Sequence, residues 1–323
     1  MLTRRTLVRR LAAATTLATV SVLGLTACGS VDESGSNEKT IAISFPNFSR
    51  TPALQVEIKA AQDEADKQGY KLILDDPGSD LDKQVSTIRT WIPQKYGAIL
   101  AVALDATVLE GVAGEVVKNG TQWITYGSTL KTQTGEIDMQ QRAAGEQLAQ
   151  LAGDWFNREL EGKGEVAVLT YEEAEWSRER QAALEEKLAQ VAPGVKVVAR
   201  QDALSETEGL NATKSLLQAN PGLNAVLAVS ESASVGAYSA LSDKRNPNMF
   251  IGGMDGNKEA LDAIGFGGAY RGSAALDFNE LGRGMITTAI NSITGDGESV
   301  YRVSYVPVIP GSRELSQMQA LWK

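Results

Sequence analysis

Histidine does not occur in the 323 residues. Its absence removes the usual general base at neutral pH, the commonest zinc ligand and the nucleophile pairs built on Ser-His or Cys-His. Cysteine occurs once, at Cys28, so no disulfide can form within the chain and no thiolate cluster can hold a metal. No cofactor or metal is therefore expected, and an enzyme made from this chain would be confined to carboxylate, lysine or tyrosine chemistry. Basic residues are outnumbered, 31 against 40 acidic ones, for a net charge of −9. A surface of that sign repels phosphate backbones, which argues against nucleic acid as a partner. The apolar stretch at residues 11–27 is broken by Thr15, Thr16, Thr19 and Ser21. It falls short of the roughly 20 strongly apolar residues of a permanent membrane span.

The segment before Cys28 has the order of an export signal: a basic start with Arg4, Arg5, Arg9 and Arg10, an apolar middle, and small residues before the cysteine. "LTAC" at 25–28, followed by Gly29, resembles the lipobox of bacterial lipoproteins, in which the cysteine sulfur is acylated and heads the mature chain. The resemblance implies loss of residues 1–27 and a membrane anchor at Cys28, since two acyl chains hold where one binds marginally. The plainer alternative is a free or buried thiol. "TRRTLV" at 3–8 resembles a twin-arginine export signal, although arginine pairs are common in ordinary secretory leaders. Residues 28–39 are small, polar and charged, and are expected to form a lipidated, flexible tether. Without the four leader arginines, 27 basic residues face 40 acidic ones, a net charge of −13.

From residue 40 onward, short β-rich runs alternate with amphipathic helical stretches, the pattern of an α/β fold. One series of strands is expected at 40–45, 70–76, 97–104 and 122–127, and a second at 165–171, 195–201, 225–230 and 249–254. The runs are almost continuously apolar, as in parallel strands covered on both faces. Helices are expected near 53–68, ended by Gly69, and near 176–190, ended by Pro193 and Gly194. The two series imply two similar lobes, and the remaining length suits two domains better than one.

"TIAIS", "AAQDEADKQGYKLIL" (60–74), "SRERQAAL" (177–184), "GLNATKSLLQANPGLNAVLA" (209–228) and "GGMDGNKEAL" (252–261) resemble, in consistent order over about residues 40–310, the ribose-type periplasmic sugar-binding proteins. These are type I solute receptors of ABC transporters. The resemblance implies two doubly wound parallel-sheet lobes joined by three crossovers, with residues 40–139 plus 277–305 in the N-lobe and 140–276 plus 306–323 in the C-lobe. Transcription repressors of the lactose-repressor type share the fold but add an N-terminal helix-turn-helix, and this chain has the lipobox and tether at that place.

The resemblance also places candidate ligand contacts. Arg180 matches an arginine that donates to sugar hydroxyls; its alternative is a helix-surface arginine balanced by Glu175 and Glu179. Asp255 matches an aspartate that accepts from hydroxyls; its alternative is capping the helix that starts near Asn257. Ser230 and Tyr171 end strands on the cleft side, where ordinary turn residues also sit. Asn47, Phe48 and Arg50 occupy the loop after the first strand, as ligand contacts or as a solvent loop. Trp176 can stack on an apolar sugar face or pack as a helix start. Gly127 and Ser128 stand where the family has charged or hydroxyl contacts, so Ser128 is the candidate there. Asp105 reads as a helix N-cap, and Trp91 and Trp123 as core.

The functional expectation is a monomeric extracytoplasmic lipoprotein that captures a small polar solute, a sugar or sugar-like polyol, and presents it to an ABC permease without chemistry. Two alternatives share the sequence features: a ligand sensor for a signalling partner, and a carboxylate-dependent glycoside hydrolase, which requires paired acids at a set separation.

Overall fold

A computed structural model describes residues 37–322. The chain begins with β1 (Thr40–Ser44), α1 (Pro52–Lys67), β2 (Lys71–Asp75), α2 (Leu81–Trp91), β3 (Ala98–Val102), α3 (Ala106–Lys118), β4 (Gln122–Tyr126) and β5 (Gly135–Asp138). It continues with α4 (Gln141–Glu159), β6 (Lys163–Thr170), α5 (Glu175–Val191), β7 (Gly194–Asp202), α6 (Glu206–Ala219), β8 (Leu223–Ala228), α7 (Glu231–Ala240), β9 (Phe250–Asp255), α8 (Lys258–Phe266) and β10 (Tyr270–Leu276). It ends with α9 (Phe278–Thr294), β11 (Val300–Arg302), β12 (Tyr305–Val308) and α10 (Arg313–Ala320).

Two six-stranded sheets result, ordered β2-β1-β3-β4-β5-β11 and β7-β6-β8-β9-β10-β12. The chain passes from the first sheet to the second after β5, returns after β10, and crosses again between β11 and β12, which gives the three crossovers. The central strands are largely buried because helices cover both faces: all five residues of β1 are buried, as are the first four of β3. At the outer edge, β7 alternates exposed and half-buried residues over its first seven positions. Each sheet carries one apolar core on each face, and Trp91 and Trp123 both lie in a first-lobe core. Asp105 caps α3 by accepting from the Val108 N–H at 2.9 Å.

Three details depart from expectation. The closing strand β12 runs antiparallel to β10, so the second sheet is mixed. Tyr305, expected at the end of the N-lobe, already pairs with Leu276 in the second sheet. The expected tether also ends early: Asn37–Lys39 form a 3₁₀ turn, with the Asn37 side chain donating to the Gln94 carbonyl at 2.8 Å and its own carbonyl accepting from Gly97 N–H at 3.2 Å.

The helices that come after the first two crossovers each seat through a glycine. A Cβ on Gly145 of α4 would stand 2.2 Å from the Arg180 carbonyl of α5, and one on Gly282 of α9 would stand 2.1 Å from the Glu57 carbonyl of α1. Backbone cannot yield as a side-chain tip can. Gly145→Ala is therefore expected to part α4 from α5 and cost about 1–3 kcal/mol, read as a lower urea midpoint. An unchanged midpoint would show that the helix pair is not held at this distance.

Candidate functional site

Both sheets have the same reversal of strand order, between β1 and β3 and between β6 and β8, and open parallel sheets collect ligands beyond the carboxyl ends of the strands at such a point. Here the carboxyl ends of the two sheets border one cleft of about 790 Å³, within the range of small-ligand sites. Val102, Tyr126, Ser128 and Asp138 stand on the first-lobe side, and Trp176, Arg180, Ser230 and Asp255 on the other.

Arg180, in the second turn of α5, is 4% exposed. Its Nε donates to Gln141 Oε1 at 2.7 Å, Nη1 to the Val229 carbonyl and to Asp255 Oδ1 at 2.8 Å each, and Nη2 to Tyr305 Oη at 3.3 Å. The guanidinium also lies 5.2 Å from the Trp176 ring centre and 5.9 Å from that of Tyr305. Burial works against its charge, but the Asp255 carboxylate and the Tyr305 phenol outweigh that and hold its pKa above the ordinary arginine value. The surface-arginine alternative does not apply, because the side chain is buried and none of its hydrogen bonds goes to Glu175 or Glu179.

Asp255 closes β9 at φ 119° and is followed by Gly256 at φ 82°. A positive φ on a non-glycine residue is costly and persists only where surroundings enforce it. Its carboxyl group accepts from Arg180 Nη1 and lies beside the backbone N–H of Glu231, while its side chain keeps 29% exposure. Burial raises its pKa, with Arg180 and that N–H pulling the other way. The cap of α8 is Asn257, not Asp255.

Of the sequence candidates, Ser128, Trp176, Arg180, Ser230 and Asp255 line the cleft. The Ser128 hydroxyl is buried without a partner among the described residues, and that of Ser230 donates to the Leu204 carbonyl at 3.0 Å. Asn47, Phe48, Arg50 and Tyr171 are outside the lining. Asp76 clamps their first-lobe loop by accepting from the Asn47 N–H at 2.7 Å, the Ser49 N–H at 3.0 Å and the Ser49 hydroxyl. Burial opposes the charge on Asp76, yet these donors and Gly78 carry its pKa down to about 2. Phe48 packs against the first-lobe core, Arg50 is exposed, and the Tyr171 hydroxyl donates to Glu173 at 2.9 Å. Cys28 lies outside the described residues.

Three participants carried no sequence signal. Tyr305 accepts from Arg180 and donates to the Met139 carbonyl at 2.9 Å, tying the first crossover to the third. Gln141 holds the Nε of Arg180, and Glu231 sits behind Asp255. The presence of a glutamine or glutamate at a helix start is too common to have singled out either one.

Two sheets of matching order, a cleft at their switch points and a buried Arg–Asp pair on its floor define a two-lobed solute-binding protein. A sequence profile of the periplasmic binding protein domain matches residues 41–297, and the chain belongs to that family. It is 26% identical over 235 residues to the D-apiose import binding protein of Actinobacillus succinogenes, covering 72% of this chain and 75% of the relative. It is 27% identical over 263 residues to the ribose import binding protein of Bacillus subtilis, covering 78% and 84%. Among solved structures, an ABC transporter solute binding protein from Bacillus halodurans with bound myo-inositol superposes with a TM-score of 0.75 at 19% identity, over 88% of this chain and 98% of that one. Among the described residues no helix is long and apolar enough to cross a membrane.

Proposed function

We propose that this chain is an extracytoplasmic lipoprotein, anchored through Cys28, that captures a sugar or sugar-like polyol between its lobes and delivers it unchanged to an ABC permease. The carrying observation is the Arg180–Asp255 pair at the floor of the cleft, a fixed cation and a fixed anion that between them match hydroxyl groups as acceptors and donors. The import and binding roles named for the relatives support the same reading. Ser128, Trp176, Arg180, Ser230 and Asp255 form the contact set, and the two lobes, divided near 139–140, 276–277 and 303–304, close on the solute as hinged bodies.

A dissociation constant near 1 μM corresponds to about −8.2 kcal/mol. Hydrogen bonds to charged groups contribute about 1.5–3 kcal/mol each, so a few of them suffice after ordering costs. The test is a thermal-shift screen of the chain lacking residues 1–27 against pentoses, hexoses, polyols and cyclitols, followed by calorimetry. A true solute at 100 times its dissociation constant stabilises by about 2.7 kcal/mol and is recovered chemically intact. A screen in which no polyhydroxylated solute moves the transition, or in which the solute is converted, would sink the reading.

A further inference from the structure

Glu231 is wholly buried, and no cation pairs with it among the described residues. A carboxyl group in that position needs a reason, since an apolar residue would fill the volume without the cost of desolvation. Its contacts supply one. The backbone N–H of Glu231, at the start of α7, lies beside the Asp255 carboxyl group. The side chain turns back beneath the same turn: Oε2 accepts from the Gly256 N–H and the Ser273 hydroxyl at 2.5 Å each, and Oε1 accepts from the Tyr270 hydroxyl. One residue thus adjoins the functional group of Asp255 and holds the peptide immediately after it.

The backbone at that point is strained. Asp255 and Gly256 are consecutive residues at positive φ, and the first has a Cβ. An N–H donor cannot reverse its role as a hydroxyl can, so the Gly256 N–H fixes where the acceptor must sit. Gly253 clears the space, because a Cβ there would stand 2.8 Å from Glu231 Oε1 and 2.2 Å from Ser234 Oγ. The Tyr270 and Ser273 hydroxyls, both from β10, hold the carboxyl group from the side away from the cleft. Burial raises the pKa of Glu231 to about 7, against the pull of its three donors. Burial therefore weighs against the charged form, and the worth of the group lies in its acceptor geometry.

We infer that Glu231 is a positioning residue for solute binding, holding Asp255 in its strained backbone conformation so that the carboxyl group faces both Arg180 and the solute. The inference rests on Asp255 being a solute contact, and its test has one arm that needs no solute.

In that arm, ligand-free crystal structures of the wild type and of Glu231→Gln are compared. The amide has one acceptor oxygen in place of two and can no longer serve all three donors, which weakens its hold on the Gly256 N–H; Asp255 is expected to leave positive φ and its carboxyl group to move beyond about 4 Å from Arg180 Nη1, the limit of an ion-pair contact. In the second arm, calorimetry with D-ribose, xylitol and myo-inositol is expected to show at least a tenfold loss of affinity in Glu231→Gln, and no further loss when the same change is added to Asp255→Ala. Tyr270→Phe removes one donor with almost no change of volume and serves if the glutamine variant fails to fold; it is expected to weaken binding about threefold, again only when Asp255 is present. An Asp255 turn and Arg180 contact unchanged in Glu231→Gln would overturn the inference. So would an affinity loss of equal size with and without Asp255, the mark of a merely structural residue. If none of the three probes binds the wild type, the crystal comparison alone decides the role of Glu231.

Discussion

Arg180→Ala is expected to abolish measurable solute binding and to destabilise the folded chain by about 3 kcal/mol. Both effects have the same origin. The guanidinium makes four hydrogen bonds, to an α4 side chain, a strand-end carbonyl, Asp255 and Tyr305. Truncation leaves the Val229 carbonyl and the Asp255 carboxylate unmatched in the interior, and removing one partner of a buried ion pair costs more than the pair contributes. The 29% exposure of Asp255 places the cost at the low end of that range. The double variant Arg180→Ala/Asp255→Ala separates the two effects, because with no stranded anion most of the lost stability should return while binding stays absent. Urea denaturation and calorimetry on the two variants read this directly. An Arg180→Ala chain as stable as the wild type would show that the pair is solvated rather than buried, and a double variant that still binds would remove the pair from the site.

The contrast between what was legible and what was not arises from the range of the forces involved. Four strands of each sheet could be placed because burial writes an apolar run into adjacent residues, as in "TIAIS" and "AVLAVS". The N-cap at Asp105 was equally local, a side chain bonding to an N–H three residues ahead. β5 (GEID) and β11 (VYR) were not legible; they are short and charged, and they form strands because they pair with one another at the sheet edge across more than 160 residues. Arg180 and Asp255 came from resemblance, and both line the cleft. Tyr305 reaches Arg180 across 125 residues and Gln141 across 39, contacts made by packing within the second lobe that no local pattern announces. The 47–50 loop was visible as a loop after a strand. That Asp76 would hold it was not, since its donors are backbone amides that no residue type announces.

Glu57 supplies the other large effect, and its sign is fixed by burial. The residue lies on α1 with none of its surface exposed, and neither carboxyl oxygen has a hydrogen-bond partner of good geometry. Burial pushes its pKa up to about 8, and the nearby Tyr126 phenol pulls it back only in part. The folded chain therefore keeps a proton on Glu57 that the unfolded chain has released, throughout the interval from about pH 4.5 to about pH 8. Stability falls with rising pH wherever the native state binds more protons. The slope is up to about 1.4 kcal/mol per pH unit, for a total near ~5 kcal/mol across the interval, with no further loss from this group above it. Glu231, raised to about 7 by burial, adds a loss of the same sign over the lower part of the range. Glu57→Gln cannot ionise, so its urea midpoints between about pH 5 and pH 9 should decline more gently than those of the wild type. By about pH 8.5 the variant should be the more stable of the two by several kcal/mol. Parallel profiles would mean that Glu57 is solvated in the native chain. Diverging profiles would establish that an uncharged acid stands directly behind Tyr126, and hence that this part of the first-lobe wall of the cleft is kept neutral at physiological pH while the opposite wall presents its fixed charge pair.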